Sequence, residues 1–427
     1  MKNTRLISTH KLLASVYLPP MALVRQHLPR PKIDNIEAAV REELERSGLR
    51  ERLRPGAAVA ISCGSRGISN LSMILREIVS YCVQQGTKPF IFPAMGSHGG
   101  ATGEGQKEVL ESLGVTEKTC GCPIISSMET VQIGVTENGR PVFLDRSAYE
   151  ADGIIVVGRI KPHTAFRGRY ESGLMKMIAV GMGKKDGAEV CHSTGFRLIH
   201  EIIPEIASTT LKKANILIGF GIVENAYDET CIVRALRAEE IPQEEPLLLE
   251  QARSLMGRLY LPETDLLIID RIGKNISGDG SDPNIAGNFC CPYATGGLQA
   301  EKRIVLDLTD ETEGNAMGVG LYDATTRRLV DKIDLDKTYT NPLVSTAINM
   351  AKIPMIFEND RDAIAACLKA SPEIDHDNPR IIRIKDSAHI DEIYVSSAHR
   401  EEVLAHPQLE LIGEFKPFAF DEVGNLW

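Results

Sequence analysis

His163, Lys176 and His192, three side chains able to carry protons, act as nucleophiles or ligate a metal, fall within one glycine-punctuated stretch, GRIKPHTAFRGRYESGLMKMIAVGMGKKDGAEVCH at 158–192. Pro162 biases Lys161 towards extended geometry, so the His163 ring is expected on a stiff, exposed turn. Lys176 stands between Met175 and Met177 in the otherwise apolar segment 174–180. A lysine there snorkels, finds a partner or is chemically special. Two further glycine-rich loops add groups. Cys63-Gly64-Ser65-Arg66-Gly67 offers backbone amides, Ser65 and Arg66 to a phosphate or carboxylate, with neither the ending of a Walker A loop nor a GxGxxG pattern. Gly96, Gly99 and Gly100 leave His98 room to approach a ligand.

Each of these residues also has an ordinary role open to it. Backbone groups or water can satisfy His98 and His192, Lys176 can snorkel to the surface, and Arg66 can cap a carboxylate. What favours function is convergence, because three loops at the ends of expected strands each present polar groups. The Cys120/Cys122 and Cys290/Cys291 pairs lack the spacing of a structural zinc site. Cys191 beside His192 makes a poor hydrolase, since adjacent side chains seldom meet as nucleophile and base.

The elements that must position these groups alternate. Strands are expected at 57–62, 89–92, 153–157 and 216–218, and helices at 71–85, 103–112 and 196–203, the last stopping near Pro204. This βαβ rhythm predicts a largely parallel sheet whose ligands gather at its strand ends. A long amphipathic helix at 244–259 leads to a second α/β unit with strands at 266–270, 304–308 and 381–384 and a helix near 346–351. The expected organisation is therefore an N-terminal α/β domain at 1–258 and a C-terminal α/β domain at 259–399, with the tail 400–427 packing back on the first and an active site in the cleft between them.

With 427 residues, a net charge of -10 and nine scattered cysteines, the chain argues against a nucleic-acid partner and for a reducing cytoplasm. No run of about twenty apolar residues predicts a membrane span. The N-terminal residues lack a signal-peptide pattern, and the sequence leaves a homo-oligomer open.

The loops GSRGI at 64–68, PAMGSHGGATGEGQ at 93–106, KPHTAFRG at 161–168 and ESGLMKM at 171–177 resemble the nickel-pincer lactate racemase family. GKNISGDGSDPN at 273–284 and ETEGNAMGVG at 311–320 extend the likeness more loosely. The resemblance implies an isomerase with a nickel-pincer nucleotide, installed by cofactor-synthesis proteins and joined covalently through Lys176. It implies His192 as nickel ligand, His98 and His163 as acid and base, Arg66 on the substrate carboxylate and Ser65 near the nucleotide phosphate. Cys63 stands where the family has an aspartate, so this is a divergent branch.

These residue types suit inversion of a carbon bearing a hydroxyl: two histidines near neutrality exchange acid and base roles, an arginine fixes a carboxylate, and a cofactor carries the hard step. Arg167, Arg169, Lys274, Asn275, Asp279, Asp282 and Asn284 are many polar groups for a methyl-sized substrate. A small-molecule 2-hydroxy acid of the longer polyhydroxy type, such as an aldonic or sugar acid epimerised at carbon 2, is therefore expected over lactate or a malate-like acid, with Lys274 among its contacts. A non-catalytic binder of a phosphorylated ligand is the alternative from another class.

Overall fold

The computed structural model describes residues 7–426. The chain divides into two compact units, Arg30–Met256 and Met1–Pro29 with Gly257–Trp427. The first strand, β1 (Met21–Gln26), thus belongs with the C-terminal half.

Arg30–Met256 is built on a five-stranded sheet of β2 (Ala58–Cys63), β3 (Lys88–Pro93), β6 (Gly153–Arg159), β7 (Ile216–Glu224) and β8 (Thr230–Arg237) in the order β3-β2-β6-β7-β8. All neighbours are parallel except β7 and β8. Their apolar runs are buried on both faces: Ala60, Phe90, Phe92, Ile154 and Val156 enter one core and Val59, Ile61, Ile91, Ile155 and Val157 the other. That period of two, with both sets apolar, is what a covered parallel sheet demands. The helix Leu71–Gln84 buries Leu71, Ile74, Leu75, Ile78, Val79 and Cys82, a single stripe at helical spacing. A separate hairpin of β4 (Thr130–Val135) and β5 (Pro141–Asp145), not anticipated from sequence, inserts before β6.

The helix expected to stop near Pro204 instead runs Ile199–Lys213 with Pro204 inside it. The ring sits in the second turn and removes one early hydrogen bond, while Ile199, Ile202, Ile203, Ile206 and Ala207 stay buried along one face and carry the helix past it. The predicted helix near 346–351 is a short 3-10 turn, Ile348–Ala351, after a longer helix, Leu335–Ser345.

The other unit holds an eight-stranded sheet of β1, β9 (Glu263–Ile272), β10 (Gln299–Leu308), β11 (Ala324–Thr326), β12 (Met355–Phe357), β13 (Ile381–Ile384), β14 (Glu392–Ser396) and β15 (Leu409–Leu411) in the order β12-β11-β10-β9-β13-β14-β1-β15. The five strands from β12 to β13 are parallel, and the remaining three join antiparallel. The expected boundaries change at both ends. β1 pairs Val24 with Ile393 on one side and with Leu411 on the other. The tail stays with the same unit, the Leu426 amide donating to Asp360 at 2.7 Å. Among the described residues no helix is long and apolar enough to cross a membrane.

Val24 is fully buried in β1. Val24→Asp places an unpaired carboxylate between β14 and β15 and is expected to destabilise that sheet by about 3 kcal/mol or more. Limited proteolysis should open 257–427 first; cleavage confined to 30–256 would contradict the pairing.

Candidate active site

β2 has β3 on one side and β6 on the other, so the connections after β2 and after β3 leave in opposite directions. A crevice opens at such a reversal, outside the carboxyl ends of the strands, and ligands of open α/β sheets bind there. Ser65 and Arg66 follow β2, His98 follows β3 and His163 follows β6. Arg66 is exposed, and Ser65, His98 and His163 are half-buried. Three adjacent strand ends therefore present the loops singled out above.

The tightest contact of the site joins His163 to Lys176, Nε2 to Nζ at 2.5 Å. The amide of Ala165 donates to His163 Nδ1 at 3.0 Å. Burial, and next the Lys176 nitrogen, hold the imidazole well below its ordinary pKa, so the ring is neutral at pH 7. A neutral ring that accepts at Nδ1 carries its proton on Nε2. That edge of the ring faces the lysine nitrogen. The ring packs on Phe166 with centroids 4.2 Å apart, and Lys176 Nζ lies 5.8 Å from the same ring centre. His163 is thus held in a corner, not on a freely exposed turn.

The backbone around this pair is anchored by two buried glutamates that the sequence did not single out. Glu171 accepts from the His163 amide at 2.7 Å and the Gly168 amide at 3.3 Å, pairs with Arg167 at 3.4 Å, and receives Arg253 as well. Glu245 accepts from the Met175 amide at 2.8 Å, at the start of the short helix Leu174–Lys176. Burial raises its carboxyl to about 8 against those amide bonds, and its Oε1 is buried with no hydrogen-bond partner. Glu245 is therefore a neutral acid at pH 7.

Past Lys176 the chain makes one π-helical turn, Met177–Gly181, closed by the Met182 amide on the Met177 carbonyl at 2.9 Å. Such turns recur at functional sites because they shift side chains off the regular helix register. His192 ends the helix Lys184–His192. Burial, then Lys176, push its imidazole down to about 4, leaving a neutral ring of the form that ligates metals. Phe196 stands 6.2 Å from His192 and 6.5 Å from His163, ring centre to ring centre. The loop of His98 is tied to this segment by the Gly96 amide on the Gly181 carbonyl at 3.2 Å. Lys274 belongs to the other unit, where its ammonium bonds to Asn341.

Residues 11–201 match the family model described as the lactate racemase N-terminal domain. That stretch is similar to this domain, in a chain of two α/β units. Its fold is similar to the lactate racemase apoprotein from Thermoanaerobacterium thermosaccharolyticum, at 16% identity and a TM-score of 0.51 over 86% of this chain and 94% of that one. It is also similar to a crystal structure of a protein from Thermotoga maritima, at 14% identity and a TM-score of 0.50 over 74% and 82% of the two chains. No curated protein matches the chain.

Glu245 supplies a pH test. Its carboxyl titrates near 8 when folded and near the ordinary value of 4.5 when unfolded. Between those values the folded protein keeps a proton the unfolded chain has lost, so this group's stabilisation is complete below about 4.5 and fades as pH rises towards about 8. Glu245→Gln copies the neutral acid and cannot ionise. It should melt above the wild type at pH 8.5 by about 3 °C or more, with the gap closing at pH 5. Parallel melting curves at both pH values would refute the raised pKa.

Proposed function

We propose that this chain is a nickel-pincer nucleotide-dependent racemase or 2-epimerase of a 2-hydroxy acid. The observation that carries the reading is the contact of a neutral His163 with Lys176 at the strand reversal, with a second neutral imidazole, His192, close enough to feel the same lysine.

The residues fit the cofactor by chemistry. Lys176 presents a nucleophilic amine for a covalent bond, His192 a neutral nitrogen for a metal, and the 64–67 loop amides and Ser65 suit a phosphate. When bound, the cofactor accepts and returns a hydride at the substrate carbon. The protein's own part is to grip the carboxylate, for which exposed Arg66 is suited, and to move the hydroxyl proton through His98 and His163 on opposite faces. Covalent attachment at Lys176 would remove the basic nitrogen that His163 Nε2 faces and leave that edge of the ring for substrate.

For the substrate, a polyhydroxy acid is the proposed class. Arg167 and Arg169 bear on this choice: Arg167 bonds to the His163 carbonyl at 2.6 Å within its own loop, and Arg169 ties that loop to the Pro242 carbonyl at 3.1 Å, in the helix Ile241–Leu255. Neither is laid out to take the distal carboxylate of a malate-like acid. A ligand with one carboxylate and further hydroxyls is favoured.

Protein made together with cofactor-building enzymes should carry a mass adduct and one nickel, and Lys176→Ala should lose the adduct while its melting temperature changes little. An adduct that survives the substitution removes Lys176 from the role, and a nickel-free protein leaves a phosphorylated-ligand binder. On a panel of 2-hydroxy acids, substrate deuterated at carbon 2 should give epimer that keeps its deuterium in ordinary water; complete washout would mean direct proton abstraction. His98→Ala and His163→Ala should each slow both directions by ~100-fold or more.

A further inference from the structure

Lys184 is the first residue of the Lys-Lys pair after Gly183, in the second half of the glycine-rich stretch 158–192, yet its side chain is completely buried. Its nitrogen donates to the Pro93 carbonyl at 2.5 Å and to Gln106 Oε1 at 3.1 Å, and pairs with Asp145, also fully buried, at 3.0 Å. An ammonium only donates, so it fixes which end of the Gln106 amide faces it. The other end, Nε2, then donates to the Gly96 carbonyl at 2.9 Å and the His98 carbonyl at 3.2 Å. One buried cluster therefore grips the carbonyls of residues 93, 96 and 98, the whole span from the end of β3 to His98.

That span needs a grip. Gly96, Gly99 and Gly100 all adopt left-handed backbone, with φ of +60°, +65° and +64°, and a chain so rich in glycine has the most freedom to lose. The backbone of Lys184 is itself left-handed, at φ +52°, where a side chain with a Cβ is strained. Lys184 also opens the helix that ends at His192. The same residue thus fixes the His98 loop through its side chain and the start of the His192 helix through its main chain.

We infer that Lys184 and Gln106 are positioning residues that hold His98 in register with His192. The inference rests on the reading of His98 as an acid-base group. Its structural half stands separately: without the Gln106 donors, the His98 backbone is released while the packing and the Lys184–Asp145 pair remain.

Gln106→Glu keeps size and the acceptor for Lys184 but loses both donors, and Gln106→Met keeps size alone. In cofactor-free protein each should shift or broaden the His98 ring signals in NMR and move that ring's titration midpoint, leaving the His163 signals in place. In loaded enzyme each should lower kcat about tenfold or more with KM within twofold. In the unaltered protein, amides 94–98 should exchange with deuterium much more slowly than those of the 64–67 loop. Equal exchange in the two loops, or unchanged His98 signals and kcat alongside a lower melting temperature, would overturn the inference and leave a purely structural cluster. If loaded wild-type protein turns over no 2-hydroxy acid, the racemase reading fails while exchange and NMR still decide whether these residues hold His98.

Discussion

The reversal of strand order at β2 governs where the chemistry of this chain is located. With β3 on one side and β6 on the other, the loops after all three strands meet at one edge of the sheet. Ser65, Arg66, His98 and His163 come from distant parts of the sequence, yet each lies within a few residues of one of those strand ends. The cores on both faces of the sheet make that edge rigid, since Ile61, Ile91 and Ile155 are fully buried in one and Ala60, Phe92 and Val156 in the other. A site whose groups come from loops inherits its accuracy from the strands beneath them.

Charge is kept out of the centre of the site by proximity. Two cations with nitrogens 2.5 Å apart would repel by roughly 7 kcal/mol at an effective dielectric of about 20, so His163 and Lys176 cannot both be protonated. The Ala165 amide settles the division by occupying Nδ1, and burial keeps the ring neutral. The charges that remain are placed one layer back: Glu171, fully buried, takes its compensation from Arg167 and Arg253 and holds main-chain amides of the His163 loop. The result is a pair of neutral imidazoles, His163 and His192, framed by ionic contacts one layer back.

Much of this was legible in local patterns. The strand expected at 57–62 forms as Ala58–Cys63, and the helix at 103–112 and strand at 381–384 form as expected, because each carries its own apolar periodicity and end signals. The grouping of His163, Lys176 and His192 was visible because it is a matter of near neighbours and flanking glycines. What escaped was decided by partners far along the chain. β1 looks like any short apolar strand, and only Ile393 and Leu411 determine which sheet it joins. Lys184 lies in Gly-Lys-Lys-Asp, a string that reads as solvated surface until Pro93, Gln106 and Asp145 close around it. Pro204 misled for a related reason, since the buried isoleucines outweigh the one hydrogen bond it removes.

The placement of β1 also orders events during synthesis. Both of its partners, β14 and β15, lie beyond residue 390, so the strand emerges from the ribosome long before anything exists for it to pair with. Arg30–Met256 can collapse around its own sheet while β1, with its apolar Met21, Ala22, Leu23 and Val24, stays unpaired. For the time needed to translate the rest of the chain, about twenty seconds to a minute or more at ordinary elongation rates, that segment is a sticky open edge in search of a sheet. A chaperone that shields short apolar strands would find its substrate here.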